Sequence, residues 1–338
     1  MRRVRQRFTA HGFARIAALL SALGSLNACA VIPGLSRDNT RYWAFTAPWD
    51  ARSDSSVRAH AARFDAVVYG WIQLDTLSGA PLSLLSDTLS RSAPASTRPM
   101  AIVSNYLGDR FHPQTIRRIA SEDAVLARTA SEVARRATAA GYRGLVLDFE
   151  ALSAADLPAT LRVVRAIADT ARAHGVAPIA LAIPATDTAA FPAAAFIPAV
   201  DYVLVMLYDQ HWPGSPPGPI AAPEWVRRSL SRRVAEVGAS RVIAALPLYG
   251  YQWPVDRPAV AVTFLEARRN AAAAGQELIR DPATATLRAA RAGEWELWVT
   301  DAGLLRALLL EVQALGVRSV ALWRLGQEDP AIWTDVVR

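Results

Sequence analysis

Short β-type runs alternate with amphipathic helical segments along most of the chain, and this alternation limits the fold more than any other feature of the sequence. Strands that alternate with helices predict parallel βα units rather than separate all-α and all-β domains. Helical periodicity is clearest over residues 122–140, 154–174, 223–237 and 301–315. The eight predicted strands are residues 42–46, 66–72, 100–105, 144–149, 178–183, 202–207, 242–246 and 319–323.

Eight strands with helical crossovers predict an α/β fold of the closed (β/α)8 TIM-barrel type. An open doubly wound sheet is the main alternative, but no G-x-G-x-x-G motif follows the first strand. The connection between strands seven and eight is too long for one crossover, because it holds a helical stretch at 264–274 and a short strand at 296–300. We therefore expect an insertion between strands seven and eight. A loop rich in proline and glycine follows strand six at 213–223, where barrel enzymes build sites.

Residues 1–29 have the composition of an export signal. An arginine-rich start precedes an apolar run of about eleven residues, whereas a helix that crosses a bilayer needs about 20. The segment LNAC, which ends at Cys29, resembles the lipobox of bacterial lipoproteins, in which the cysteine becomes acylated. This pattern predicts an exported cell-envelope protein with a lipid anchor at Cys29, a tether over residues 30–41 and a barrel over residues 42–338. The alternative is an ordinary cleaved signal that contains an incidental cysteine.

Charge and residue usage exclude several classes of function. Five of the 37 basic residues lie in the first 28 positions, and the rest of the chain has 32 basic against 30 acidic residues. A nucleic-acid partner is not expected, because a basic binding face would persist in the folded part. The chain has no lysine, which excludes lysine Schiff-base chemistry and a Walker-type phosphate loop. The histidines, including His211 after strand six, have no metal-ligand spacing, so we expect neither a metal nor a cofactor.

Two acidic residues come after the apolar run of strand four. Side chains alternate along a strand, so Asp148 and Glu150 project to one face while Leu147 and Phe149 project to the other. Each negative charge opposes ionisation of the other, so one carboxyl should keep its proton near neutral pH and could serve as a general acid. The alternatives are an ordinary acidic strand end or an N-cap and first-turn pair at the next helix.

Aromatic side chains gather at several other predicted strand ends. Sugar rings stack on aromatic faces while polar groups bind their hydroxyls, so aromatics around a carboxyl pair favour a carbohydrate ligand. Any single tryptophan here could instead belong to the core. The residues that we expect to contact a substrate are Trp49, Trp71, Met206, Trp212, Tyr249 and Trp323.

Three segments resemble landmark motifs of glycoside hydrolase family 18, the chitinase-like (β/α)8 enzymes. They are LVLDFE at 145–150, MLYD at 206–209 and the terminal Trp323, in the family's order and at its positions in strands four, six and eight. The segments LPLYGY at 246–251, WRLG at 323–326 and EDPAIW at 328–333 resemble the bacterial branch with spore-cortex peptidoglycan hydrolases and deacetylase-fused modules. The likeness covers residues 42–333.

The resemblance implies a role for each matching residue. Glu150 would protonate the glycosidic oxygen, and Asp148 would orient and stabilise the 2-acetamido group of the substrate, which acts as the nucleophile. Tyr208 and Asp209 would support the acetamido carbonyl, and Trp323 would form the floor under the sugar. The implied activity is retaining, substrate-assisted hydrolysis of a β-linked N-acetylglucosamine polymer: peptidoglycan, an exported amino-sugar polysaccharide or chitin.

The sequence departs from the family's fuller motif, D-G-x-D-x-D-x-E. Arg143 stands at the first acidic position and Val146 at the second, so the inner carboxyl on the Asp148 face is missing. A permanently ionised Asp148, an altered pH optimum or weak activity are the expected consequences. Two alternatives to the enzyme stay open: a catalytically weak, lectin-like glycan-binding barrel, and a surface scaffold for protein contacts.

Overall fold

Eight parallel strands form a closed barrel in the computed structural model, which describes residues 40–83 and 94–337. The barrel closes because the first strand pairs with both the second and the eighth. The predicted (β/α)8 architecture is therefore confirmed. In chain order the barrel strands are β1 Arg41–Phe45, β2 Ala66–Leu74, β3 Arg98–Ser104, β4 Leu145–Asp148, β5 Ile179–Pro184, β6 Tyr202–Met206, β7 Val242–Pro247 and β8 Ser319–Trp323.

Helices follow the strands and cover the outside of the barrel. Several begin at a side-chain cap: Asp301 accepts a hydrogen bond from the Leu304 amide, and Thr263 and Glu266 form a reciprocal capping box. Short 3-10 turns occupy Ala61–Arg63, Ala154–Asp156 and Ala239–Arg241. The α-helices are α1 Ala51–His60, α2 Pro113–Ser121, α3 Asp123–Ala139, α4 Leu157–Ala173, α5 Ala193–Phe196, α6 Pro223–Val237, α7 Phe264–Ala273, α8 Ala302–Ala314 and α9 Ile332–Asp335.

The two faces of each barrel strand belong to different layers of the core. Along β4, Leu145 and Leu147 pack in the layer between the strands and the helices, whereas Val146 packs inside the barrel. The interior is filled by Trp43, Phe45, Ala66, Val68, Met100, Ile102, Val146, Ala180, Ala182, Leu204, Ile243, Ala245 and Ala321. The inward face is thus apolar until the strands reach their carboxyl ends.

The strand register brings the last residues of several strands to one edge of the barrel. Asp148 pairs with Ser104, Met206 pairs with Pro184, and Trp323 pairs with Pro247. Because all the strands run parallel, these pairs lie at the carboxyl-terminal mouth, where TIM-barrel enzymes place their sites.

An insertion separates β7 from β8, as the length of that connection predicted. It consists of α7 and a five-stranded antiparallel sheet. The sequence predicted α7 and the strand Trp295–Val299 but not the other four strands. In sheet order the strands are Val260–Val262, Gly250–Pro254, Trp295–Val299, Leu287–Arg291 and Ile279–Arg280.

The predicted export signal, Cys29 and residues 30–39 of the predicted tether lie outside the described residues. Within the described ranges, none of the helices combines the length and the apolar character that crossing a bilayer requires.

Candidate active site

A cavity of about 320 Å³ opens at the carboxyl-terminal mouth of the barrel. Its wall combines acidic residues from the ends of β4 and β6 with a ring of aromatic side chains. The lining residues are Phe45, Trp49, Trp71, Ile102, Tyr106, Phe111, Val146, Asp148, Glu150, Ala182, Leu204, Met206, Tyr208, Asp209 and Trp323.

Asp148 and Glu150 face this cavity together. Asp148 is the last residue of β4, and Glu150 lies two positions later, so strand alternation directs both side chains inward. A side-chain hydrogen bond joins the two carboxyls. Asp148 also accepts a hydrogen bond of 3.2 Å from the Ser104 hydroxyl on the neighbouring strand. The two carboxyls therefore form one unit that requires a proton.

Burial raises the pKa of both carboxyls in this unit. The pKa of Glu150 is well above the usual glutamate value, because burial penalises its charge and the negative Asp148 and Asp209 add to that penalty. Burial also raises the pKa of Asp148, and its hydrogen bonds with Ser104 and Glu150 oppose that rise. The arrangement assigns the shared proton to Glu150, which is the state that a general acid needs.

Asp209 is held in an uncommon conformation beside this unit. Its φ of 55° lies in the left-handed region, which aspartate tolerates better than most residues. The hydroxyls of Tyr249 and Tyr251 both donate to Asp209 Oδ1, the latter over 3.1 Å. Burial raises the pKa of Asp209, and the two tyrosine hydrogen bonds counteract the shift.

Tyr208 is an uncharged hydrogen-bond donor beside these carboxyls. Burial raises its pKa well above the usual tyrosine value, and the nearby charges of Glu150, Asp148 and Asp209 raise it further. The hydroxyl therefore stays protonated at ordinary pH and can donate to an oxygen placed in the cavity. Its ring lies nearly parallel to that of Trp323, with the centroids 6.0 Å apart and the planes at 13°.

Tryptophans extend from the centre of the cavity to its rim. The rings of Trp323 and Trp71 have centroids 6.1 Å apart, and those of Trp71 and Trp49 are 4.9 Å apart. The Trp71 indole donates a hydrogen bond of 3.1 Å to the Thr46 carbonyl, which fixes its orientation. Trp49 is 58% exposed, so the row begins in solvent and ends beside the carboxyls.

The base of the cavity is apolar. Ile102, Val146, Ala182 and Leu204 line it from four strands, and all belong to the barrel interior. Val146 lies on the face of Asp148, as the alternation along β4 predicted, and it is fully buried. Asp148 consequently has a hydrocarbon neighbour on the side where the fuller motif places a carboxyl.

Most of the residues singled out from the sequence lie on the cavity wall. They are Trp49, Trp71, Asp148, Glu150, Met206, Tyr208, Asp209 and Trp323. Tyr249 stands behind Asp209 as its hydrogen-bond donor. Trp212 is 53% exposed in the loop after β6 and is not among the lining residues. The roles assigned to these residues stay predictions.

A small hairpin on the rim of the cavity was not predicted from the sequence. Its two strands, Tyr106–Leu107 and Arg110–Phe111, come after β3, and the rings of Tyr106 and Phe111 pack edge to face with centroids 5.1 Å apart. Both rings line the cavity. The sequence did hold a signal for this hairpin, because Tyr106 and Phe111 lie on either side of a Gly-Asp turn that follows a strand.

The acidic side chains at the mouth do not form a metal centre. Among residues 40–83 and 94–337, no group of three or more histidine, cysteine, aspartate or glutamate side chains is arranged to hold a metal ion.

Solved structures of chitinase-like proteins have the same barrel fold. The spore cortex-lytic enzyme SleL of Bacillus cereus superimposes with a TM-score of 0.79 at 19% identity, over 88% of this chain and 74% of that one. A class V chitinase from Pseudomonas fluorescens Pf-5 gives a TM-score of 0.78 at 25% identity, over 88% and 98% of the two chains.

Curated relatives come from the same group. The cortical fragment-lytic enzyme of Bacillus subtilis is 25% identical over 274 residues, which are 76% of this chain and 63% of that protein. YdhD of Bacillus subtilis, named as a sporulation-specific glycosylase, is 28% identical over 161 residues, or 46% of this chain and 38% of that protein. The chain therefore spans less than two thirds of the length of either relative. No family model matches the chain.

These similarities confirm the predicted resemblance to chitinase-like proteins and the predicted barrel fold.

Proposed function

We propose that this protein hydrolyses β-linked polysaccharides that contain N-acetylglucosamine, with retention of configuration and with the 2-acetamido group of the substrate as nucleophile. The observation that carries the proposal is the hydrogen-bonded Asp148–Glu150 pair, which faces a cavity walled by tryptophan and tyrosine. A protonated Glu150 supplies the proton that the departing sugar oxygen needs, and the aromatic wall supplies the sugar platform.

The spacing of the carboxyls favours nucleophilic attack by the substrate itself. A side-chain hydrogen bond joins the Asp148 and Glu150 carboxyls directly. An enzyme nucleophile would have to stand about 5 Å from the acid, across the glycosidic bond. Asp209, the other carboxyl of the cavity wall, is held by Tyr249 and Tyr251. The acetamido oxygen of the bound sugar takes the place of an enzyme nucleophile.

The proposed reaction has two balanced steps. Glu150 gives its proton to the glycosidic oxygen, the C1–O bond breaks, and the acetamido oxygen attacks C1 to form an oxazolinium ion. Asp148 accepts a hydrogen bond from the acetamido N–H and stabilises the positive charge of the oxazolinium ion. The Tyr208 hydroxyl donates a hydrogen bond to the acetamido oxygen. The Glu150 carboxylate then removes a proton from water, which attacks C1 and restores the acetamido group.

We further propose that the protein acts in the cell envelope and that its substrate is peptidoglycan or an exported amino-sugar polymer ahead of chitin. The motive is the predicted export signal with its lipobox cysteine, Cys29. The names of two relatives, a spore cortex-lytic enzyme and a cortical fragment-lytic enzyme, agree with a cell-wall polymer. A lipid anchor would hold the barrel at a membrane surface close to such polymers.

The test is the release of reducing ends from N-acetylated glycans by the wild type and by Glu150→Gln. The variant keeps the shape of the side chain but has no proton to give, so we expect turnover to fall by about 10²-fold or more. Glu277→Gln is the matched control, because Glu277 is an exposed carboxyl of the insertion. Turnover that is equal in the wild type and in Glu150→Gln would refute the proposed acid.

A glycan-binding protein without useful turnover is the second candidate. The observation that favours it is the fully buried Val146, which leaves Asp148 without an inner carboxyl neighbour. Negligible turnover by the wild type together with retained glycan binding in both variants would support this alternative. Neither turnover nor binding across a broad glycan panel would favour a scaffold role instead.

A further inference from the structure

We propose that Asn105 is a positioning residue that fixes the backbone of Glu150 and thereby aims its carboxylic acid. This inference rests on the proposed function, in which Glu150 is the proton donor. The need for such a residue arises at the strand ends. The β3–β4 pairing ends at Ser104 and Asp148, so Glu150 lies beyond the backbone ladder that holds the rest of β4.

The side chain of Asn105 replaces the missing ladder. Its Nδ2 donates to the Glu150 carbonyl over 3.0 Å, and its Oδ1 accepts from the Glu150 amide over 3.0 Å. One primary amide thus pairs with both polar groups of Glu150, as the backbone of a neighbouring strand would. Asn105 is fully buried, which limits the competition of water for these two hydrogen bonds.

Asn105 is itself held in place at the end of β3. Its carbonyl accepts a hydrogen bond of 3.0 Å from the His112 amide, at the start of α2. The residue before it, Ser104, binds the carboxyl of Asp148, and the residue after it, Tyr106, lines the cavity. Three consecutive residues therefore support the carboxyl pair and the cavity wall in three different ways.

The position of Glu150 depends on this support because the chain leaves the strand direction immediately afterwards. Ala151 has a φ of 58°, in the left-handed region that disfavours residues with a side chain. Without the amide of Asn105, the backbone polar groups of Glu150 lose their partners and the backbone can shift. Because a misplacement of about 1 Å can cost about 10²-fold in rate, such a shift would be visible in catalysis.

A leaving-group comparison separates this role from ordinary structural support. A good leaving group departs with little help from an acid, whereas a poor one depends on the proton. The substrates are the 2,4-dinitrophenyl and methyl β-glycosides of an N-acetylglucosamine oligomer. We expect Asn105→Ala to lower kcat for the methyl glycoside by about 10²-fold and kcat for the dinitrophenyl glycoside far less, with KM little changed. Glu150→Gln should show the same asymmetry.

Thr97→Val is the matched control. Thr97 is buried next to the other end of β3 and donates a hydrogen bond of 2.8 Å to the Ala61 carbonyl. Its replacement also removes a buried hydrogen bond, so the melting temperature should fall while the ratio of the two kcat values stays at the wild-type value.

Asn105→Asp provides a second variant that keeps the shape of the side chain. Its carboxyl can donate to the Glu150 carbonyl only while it is protonated. Activity on the methyl glycoside should therefore approach the wild-type value at low pH and decline at a lower pH than in the wild type.

Equal losses on the two glycosides in Asn105→Ala, or an unshifted pH profile in Asn105→Asp, would overturn the positioning role while the proposed function stands. Absence of turnover by the wild type on both glycosides would instead overturn the proposed function and this inference with it.

Discussion

Asp148 is buried and Glu150 is partly buried, and the side chains around them determine how they ionise. Burial and the neighbouring negative charges raise the pKa of Glu150, whereas Ser104 supplies a hydrogen bond that favours the charged form of Asp148. The pair therefore behaves as one titrating unit with a proton that the folded state retains above the usual glutamate pKa.

The raised pKa of Glu150 makes the protein's stability depend on pH. The folded state binds this proton more tightly than the unfolded chain, so the stabilisation is complete below the ordinary glutamate pKa and is lost as pH rises through the raised value. Glu150→Gln removes the titration. We expect the free energy of unfolding of this variant to decline less than that of the wild type between about pH 5 and pH 8. The difference should be about 1.4 kcal/mol for each unit by which folding raises the pKa of Glu150. Denaturant titrations over this range measure it.

The control for that experiment is Glu277→Gln, which should track the wild-type curve because Glu277 is exposed. A Glu150→Gln variant whose stability falls with pH as steeply as that of the wild type would contradict the raised pKa.

Val146 is the residue that most distinguishes this carboxyl pair from the fuller motif. Val146→Asp would place a third carboxyl on the inner side of Asp148, and its charge would oppose loss of the shared proton. We expect the alkaline limb of the kcat/KM profile to move to higher pH, and the free energy of unfolding to fall by about 1–3 kcal/mol, because a polar group is buried. Val146→Asn adds no charge, so it should lower the free energy of unfolding without moving the alkaline limb of the kcat/KM profile. A limb that moves equally in both variants would contradict the electrostatic explanation.

At the residue scale, strand alternation and motif likeness were enough to predict most of the carboxyl site. The common face of Val146 and Asp148 results from the two-residue period of a strand, and it was predicted correctly. Asn105 and the pair Tyr106 and Phe111 were missed, because their importance comes from contacts with residues of β4 and with the cavity. Such contacts depend on register between strands, which one sequence does not encode locally.

At the scale of elements, two chain segments meet at Asp209. The loop after β6 carries Asp209, and Tyr249 and Tyr251 come from the segment that leaves β7 for the insertion. The rings of these tyrosines pack edge to face with centroids 5.3 Å apart. The insertion thus contributes directly to the geometry of the cavity wall.

Removal of the tyrosine donors tests this connection. Tyr249→Phe and Tyr251→Phe each take away a hydrogen bond that favours ionised Asp209, so its pKa should rise further. We expect kcat to fall by about tenfold in each variant, corresponding to about 1.4 kcal/mol, and the two losses to be non-additive, because both hydroxyls bind the same oxygen. Kinetics of the single and double variants measure the coupling. Tyr69→Phe, at a buried tyrosine that does not line the cavity, is the control.

Fully additive losses, or wild-type kinetics in the double variant, would show that Asp209 does not depend on the two hydroxyls.

Most of the elements that the sequence predicted have strong periodicity. The eight barrel strands, α3, α4, α6 and α8 all have a continuous buried face. Helix α1 was missed because it is polar and buries only Ser53, Ser56 and Val57. The insertion strands were missed for a similar reason: Leu287–Arg291 buries one residue of five, and Ile279–Arg280 is exposed.

At the scale of the whole molecule, the predicted anchor determines where the barrel would work. Cys29 is the sole cysteine, so it is the single thiol available for acylation. We expect the wild type to sediment with membranes and Cys29→Ser to be found in the soluble fraction, because the acyl chains supply the affinity for the bilayer. Fractionation of cells that express each form measures the difference. A wild type that partitions like Cys29→Ser would favour the ordinary cleaved signal.

In the proposed mechanism, Glu150 is the proton donor and the acetamido group of the substrate is the nucleophile. Attack by the acetamido group from within the bound sugar, followed by attack of water on the opposite face, leaves the anomeric carbon with its starting configuration. The stereochemistry of the first product therefore reports the mechanism without any substitution in the protein.

The most direct measurement is proton NMR of the anomeric signals during the first minutes of digestion of a β-linked N-acetylglucosamine oligomer. We expect the β-anomer of the new reducing end to appear first and the α-anomer to grow in later by mutarotation. An α-anomer that appears first, or no new reducing end at all, would contradict the proposed mechanism.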